Sequence, residues 1–217
     1  MNQTEIERLY DLYEEKGWWE FKTHTDQLYE QAEKNGDKTA LTDHQRSVTF
    51  RELMWESERL AAYFHSEGIK KGDRIVLQHV NTISFVTICF ALFRIGAVPT
   101  LAMPSHRETE VSGIIETSRA RGYIAIRSYH GFQYEALTEK MREKYDFLEH
   151  IWFTDELEAI DLGRYDPGQN MPERPGHRDL AILVLSGGST GIPKLIPRVH
   201  ASFLHEQRSC AEAFGVD

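Results

Sequence analysis

Apolar and polar positions along this chain switch repeatedly between a helical and an extended period. Ile6, Leu9 and Tyr13 recur at helical spacing within a charged stretch, which predicts a short helix over residues 4–16. A second helix is expected over 26–35, stopped by Asn35-Gly36. Residues 38–43 and 47–50, separated by His44-Gln45-Arg46, read as a small hairpin. Thr49 with Glu52 three positions later is a capping-box pattern and opens a long helix running to Gly68. From there strand and helix signals alternate. Strands are expected over 73–79, 97–102, 123–127 and 150–154. Between them lie an apolar helix over 82–95 ended by Gly96, a helix from a Ser105/Glu108 capping pattern to about Arg121, and a helix over 132–145. The apolar run 181–184 reads as a buried strand, and 201–214 as a helix that His200 begins.

This alternation predicts an α/β fold, a mostly parallel sheet flanked by helices. Segment 160–178 differs in character, with Pro167, Pro172 and Pro175 among Gly163, Gly168 and Gly176. The expected organisation is a helical entry segment with the start of the hairpin over 1–46, an α/β subdomain over 47–160, a Pro/Gly-rich linker over 161–178, and a strand, loop and helix over 179–217. No internal repeat or low-complexity tract is present.

Composition changes this picture little. Hydrophobic residues make up 41% and charged residues 27% of the chain, values ordinary for a globular protein. A net charge of −9 argues against a nucleic-acid partner, which would call for a basic face. The two cysteines, Cys89 in an apolar stretch and Cys210 in an expected helix, suit buried thiols in a reducing compartment better than a disulfide scaffold. No apolar run approaches membrane-spanning length, and the charged beginning lacks a signal-peptide core, so the expected location is cytoplasmic, with no membrane partner.

The chemistry concentrates between residues 185 and 194, Leu-Ser-Gly-Gly-Ser-Thr-Gly-Ile-Pro-Lys, directly after the apolar strand. Gly187, Gly188 and Gly191 let main-chain amides turn inward with no side chain in the way. Ser186, Ser189 and Thr190 add hydroxyls, and Lys194 a positive charge. Amides, hydroxyls and one ammonium converging on a small volume suit a polyphosphate. The loop is not a Walker A loop: Pro193 precedes the lysine and Leu195 follows it, so no hydroxyl is placed to hold magnesium in that manner, which disfavours a simple phosphate-binding NTPase. His200 is either a contact near such a site or a half-buried helix-terminal histidine. His205 lies five positions on, outside the spacing of a helical metal pair, and no zinc pattern appears. His106-Arg107 reads as an anion clamp or as a helix start that fixes packing, and Trp18-Trp19 as a ligand platform or as aromatic anchors.

The string from Leu185 to Lys194 with Leu195-Ile196-Pro197-Arg198 and His200 resembles the phosphate-loop signature of adenylate-forming enzymes, the superfamily of acyl- and aryl-CoA synthetases, luciferases and peptide-synthetase adenylation domains. It looks most like the stand-alone 2,3-dihydroxybenzoate and salicylate ligases of siderophore biosynthesis. Gly17-Trp18-Trp19, Thr49-Phe50-Arg51-Glu52-Leu53, 68–74, 90–99 and 101–107 are similar to further blocks of that family, so the likeness runs over essentially the whole chain. The resemblance implies the first subdomain of the large N-terminal domain of such an enzyme. It implies phosphate contacts for Ser186, Gly187, Gly188, Ser189, Thr190, Gly191 and Lys194, and a supporting place beside the nucleotide for His200. The implied partners are ATP, an aryl acid and the phosphopantetheine thiol of an aryl carrier protein. Magnesium is implied with its main ligand outside these residues, as are the acid pocket, the ribose-binding aspartate and the mobile C-terminal domain, so the chain by itself is expected to have little activity. The alternatives are part of another acyl- or aryl-CoA ligase, and a non-catalytic remnant or interaction module.

Overall fold

A computed structural model describes residues 2–168, 170–186 and 194–215. Helix α1 (Gln3–Glu15) opens from Asn2, whose side chain accepts the Glu5 amide while the Glu5 carboxylate accepts the Asn2 amide. Helix α2 (His24–Asn35) opens two residues before the expected start, because Thr23 and Asp26 form a reciprocal cap. Strands β1 (Thr39–Thr42) and β2 (Ser47–Thr49) form the expected hairpin, and α3 (Phe50–Ser66) follows with the Thr49/Glu52 capping box in place. Next come β3 (Arg74–Gln78), α4 (Ile83–Arg94), β4 (Val98–Ala102), α5 (Glu108–Ser118) and β5 (Gly122–Ala125). Strands β6 (Ser128–Tyr129) and β7 (Phe132–Gln133) then lead into α6 (Glu135–Lys144), β8 (His150–Phe153) and α7 (Thr154–Glu158). After a 3₁₀ turn at Leu162–Arg164 the chain enters β9 (Leu180–Leu185), β10 (Leu195–Val199) and α8 (His200–Phe214).

Six strands form the main sheet in the order β10-β9-β4-β3-β5-β8. All neighbours are parallel except the edge strand β10, which runs antiparallel to β9. Alternation along the central strands sends side chains into two cores. Ile75, Leu77 and Ile124 pack with Phe64, Ile88 and Leu92 from α3 and α4, whereas Val76, Tyr123 and Ala125 pack with Ile114, Ile115, Leu137 and Met141 from α5 and α6. Both faces are covered, which is why β3 reads as a continuous apolar run. Among the described residues no helix is long and apolar enough to cross a membrane.

Three expectations need correction. The helix expected from Ser105 begins at Glu108, because residues 103–107 form a loop and the carboxylate that meets the first turn is Glu110, accepting the Arg107 amide at 3.1 Å. Its end falls at Ser118, where Arg119 turns left-handed at φ 53°. The helix expected from Phe132 begins at Glu135: His130 and Gly131, at φ 49° and 80°, form the two-residue turn of a tight hairpin pairing Ser128 with Gln133. Residues 195–199, read as a continuation of the loop, form an edge strand in which Pro197 is tolerated because an edge leaves one side of the ladder unpaired.

Gly122 sits where β5 passes closest to its neighbours. A β-carbon there would lie 2.8 Å from Trp152 Cζ3 and 2.9 Å from Ile75 Cδ1. Gly122→Ala is therefore expected to destabilise the fold by about 1–3 kcal/mol through overpacking. Urea denaturation should show a lower midpoint at unchanged slope, and a midpoint at or above that of the parent chain would show that the core yields there.

Candidate functional site

The parallel strands β3, β4, β5, β8 and β9 all release their connections at one edge of the sheet, the edge where ligands of open α/β sheets bind. After β9 that connection is the glycine-rich loop. Leu185 pairs with Leu195, and the Ser186 amide donates to the Lys194 carbonyl at 2.8 Å, so the two strands close the loop at its mouth. Ser186 is half-buried and Lys194 exposed, with no carboxylate within ion-pair range of Lys194 among the described residues. Gly187, Gly188, Ser189, Thr190 and Gly191 lie outside the described residues.

The neighbouring loops on this edge are tied down by their own polar groups. Gln78, fully buried at the tip of β3, donates from its side-chain amide to the carbonyls of Met103 at 2.8 Å and His106 at 3.0 Å, while accepting from the Tyr123 hydroxyl. His106 accepts the Met103 amide on Nδ1, and burial pushes its pKa down. Arg107 donates to the carbonyls of Pro104 and His106 and to the Tyr134 hydroxyl, and lies 4.2 Å over the Phe132 ring. Its Nη1 serves the loop and its guanidinium packs on Phe132, so of the two readings of His106-Arg107 the packing one describes these contacts. Trp19 is likewise buried against Tyr10 and Tyr13 as an anchor, while Trp18 remains about half exposed. Among the described residues no three His, Cys, Asp or Glu side chains are grouped to hold a metal ion.

His200 lies at the other end of β10, on the order of 20 Å from Lys194 by strand rise. It is fully buried and its Nδ1 lies 2.9 Å from Nδ1 of His24, the first residue of α2. Phe93 flanks both rings, at 4.9 Å from His24 and 5.5 Å from His200, and Phe203 lies 4.9 Å from His24. Burial, reinforced by the neighbouring His200, pushes His24 down to about 3. Burial also pushes His200 down to about 4, against the opposing pull of Asp179 and Asp26 and with the help of Lys71. His24 carried no signal in the sequence, since its partner is 176 positions away. Around this pair the chain is pinned further. The His200 amide donates to the Asp179 carbonyl and the Ala201 amide to the His177 carbonyl. Arg178 bridges to Asp11 and Glu14 of α1, and its guanidinium holds the Glu14 carboxyl down at about 2.

Comparisons with known proteins agree with this geometry. The family model described as AMP-binding enzyme matches residues 28–217. The 2,3-dihydroxybenzoate-AMP ligase of Bacillus subtilis is 37% identical over 215 residues, which cover 97% of this chain and 39% of that one. The salicyl-AMP ligase / salicyl-S-ArCP synthetase of Mycobacterium tuberculosis is 30% identical, covering 92% of this chain and 37% of that one. Among solved structures, apo MbtA of Mycobacterium smegmatis superposes with a TM-score of 0.82 at 28% identity, covering 93% of this chain and 38% of that one. The chain thus spans about two fifths of the length of the curated relatives it matches.

The buried pair His24 and His200 contributes to the acid response of the fold, beside His79 and His106, whose pKa burial also lowers. Both members of the pair stay neutral in the folded chain at a pH where their ordinary value of 6.5 lets the unfolded chain take up protons. Their contribution is complete above pH 6.5 and declines as pH falls toward 4, ahead of the loss from carboxylates such as Glu14. Denaturation midpoints measured from pH 7 to 4.5 should fall, and His24→Leu with His200→Leu together should flatten that slope by up to roughly two protons. A double variant with the parental slope would place the acid response elsewhere.

Proposed function

The chain belongs to the AMP-binding enzyme family, and on that premise we propose that it forms part of a ligase that activates an aryl acid as its adenylate, with loop 186–194 receiving the phosphates of ATP. The carrying observation is the closure of that loop by Ser186 and Lys194 at the ligand-binding edge of the sheet. The likeness to 2,3-dihydroxybenzoate- and salicyl-AMP ligases supports the aryl acid as substrate class.

A carboxylate is a poor acyl donor because its leaving group would be an oxide. In the proposed reaction a carboxylate oxygen forms a bond to the α-phosphorus of ATP, and the bond from that phosphorus to the bridging oxygen breaks. Pyrophosphate leaves with the electron pair, and the acid is left joined to AMP, itself a good leaving group. Both reactants are anions, so the barrier is largely electrostatic, and donors already in place around the departing phosphates lower it. Lys194 supplies the charge and Ser186 a hydroxyl at the mouth. Gly187, Gly188 and Gly191 supply amides, and Ser189 and Thr190 hydroxyls, within the loop. His200 supports the site through the strand that leads away from it. In the second half-reaction a thiol sulfur, on the phosphopantetheine arm of an aryl carrier protein, bonds to the acyl carbon and AMP departs. Magnesium would accompany the nucleotide and supply further charge, but the described residues offer no ligand set for it and no step is assigned to it.

The test is ATP–pyrophosphate exchange in the polypeptide that carries this chain, with 2,3-dihydroxybenzoate, salicylate, an aliphatic acid and an amino acid compared. Exchange should depend on a hydroxybenzoate. Lys194→Met should lower kcat/KM for ATP by about 10²–10³-fold, in line with loss of one preplaced charge stabiliser. Exchange driven only by the aliphatic acid or amino acid, or indifferent to Lys194, would overturn the assignment.

A further inference from the structure

Strand β10 specifies its own position weakly. None of its five side chains is buried, its central residue Pro197 has no amide to give, and the ladder to β9 shifts register between Arg198 and Val199. In a strand with one face in the core, a slip by one residue would expose the whole apolar set, and that cost holds the register. Here the cost is smaller, because all five side chains are half-buried or exposed, Leu195 alone packing at the margin of the second core. The residue that cannot slip is the next one. His200 is fully buried, and its ring meets a fixed partner.

The hydrogen-bond inventory settles how that pair is made. His200 Nδ1 is approached by His24 Nδ1 at 2.9 Å and by the His24 main-chain amide at 3.4 Å. A main-chain amide only donates, so His200 Nδ1 is the acceptor and its proton sits on Nε2, while His24 donates from Nδ1. Neither Nε2 has a partner among the described residues, and aromatic rings wall the pair. Beside the longer contact from the His24 main-chain amide, the Nδ1–Nδ1 bond is therefore the directional polar contact that holds these two side chains together among the described residues, and a slip of β10 by one residue would break it.

We propose that His24 and His200 are positioning residues: their hydrogen bond sets the register of β10 against β9, and thereby the pairing of Ser186 with Lys194 at the mouth of the loop. Only the identity of what that mouth receives rests on the function proposed above.

Amide hydrogen exchange of the full chain tests the proposal without any nucleotide, so its outcome and that of the pyrophosphate assay are separable. In His24→Leu and His200→Leu the Ser186 amide should exchange about tenfold faster while the amides of β3 keep their protection. His200→Asn, whose Oδ1 can replace Nδ1 as acceptor, should restore the parental rate. An unchanged Ser186 rate in the leucine variants, or equal acceleration in every strand, would overturn the proposal. The parent chain gives a second reading that holds even if a variant fails to fold. Its imidazole ¹H–¹⁵N spectrum at pH 6 should show both rings neutral, with His24 protonated at Nδ1 and His200 at Nε2. The reverse tautomers, or a charged ring, would overturn it equally.

Discussion

Strands covered on both faces leave the chain one place for polar loops, the ends of the sheet. Ile75, Val76 and Leu77 of β3 are fully buried, as are Tyr123, Ile124 and Ala125 of β5. Main-chain groups in such a layer find partners only in the ladder, so the strands must run together and stop together. Because five of them are parallel, the connections that leave those five all emerge at the same edge. The glycine-rich loop lies there because β9 joins the stack beside β4, with Leu183 opposite Thr100.

That edge is finished in two ways. After β3 and β4 the polar groups are used up locally: Gln78 and Arg107 bind loop carbonyls, and Asp43 reaches across from the β1–β2 hairpin to accept the Ile83 amide at the start of α4. These loops are shaped and leave few donors for anything else. After β9 the arrangement is the opposite: among the described residues one main-chain bond, Ser186 to Lys194, closes the mouth beyond the ladder, with an exposed lysine beside it. Against a chain of net charge −9, a lysine with no described carboxylate in range is a local exception to the prevailing field.

What could be read in the sequence follows from how local each cause is. The Thr49/Glu52 cap and the apolar run of β3 are set by residues within a few positions of one another, and both appear as expected. The 128–133 hairpin was hidden because its signal is two backbone angles at His130 and Gly131, while Phe132 and Tyr134 carry an apolar pattern that fits a helix equally well. Strand β10 was hidden for a related reason: with a proline at its centre and no buried side chain, it lacks the alternation that identifies a strand. Of the candidate site, the sequence offers the lysine, the hydroxyls and the glycines as candidates, and of these Ser186 and Lys194 lie at the mouth of the loop among the described residues. The placement of His200 was not legible, because it depends on His24, in a helix at the other end of the chain.

The two edges of the sheet thus divide the work. At the edge where β9 begins, α1, α2 and α8 converge on residues 176–179 through the Arg178 bridges, the histidine pair and the amide bonds of His200 and Ala201. Lys71 adds a further tie to Asp179 from the turn before β3. Many contacts of different kinds fix the same few residues, so β9 starts and β10 ends from one rigid block. At the opposite edge the same two strands carry the loop, closed among the described residues by the Ser186–Lys194 bond. A loop closed only by its own two strands keeps its position only if those strands are held somewhere else. The antiparallel return of β10 supplies that connection, since it brings the chain from the loop straight back to the anchored edge.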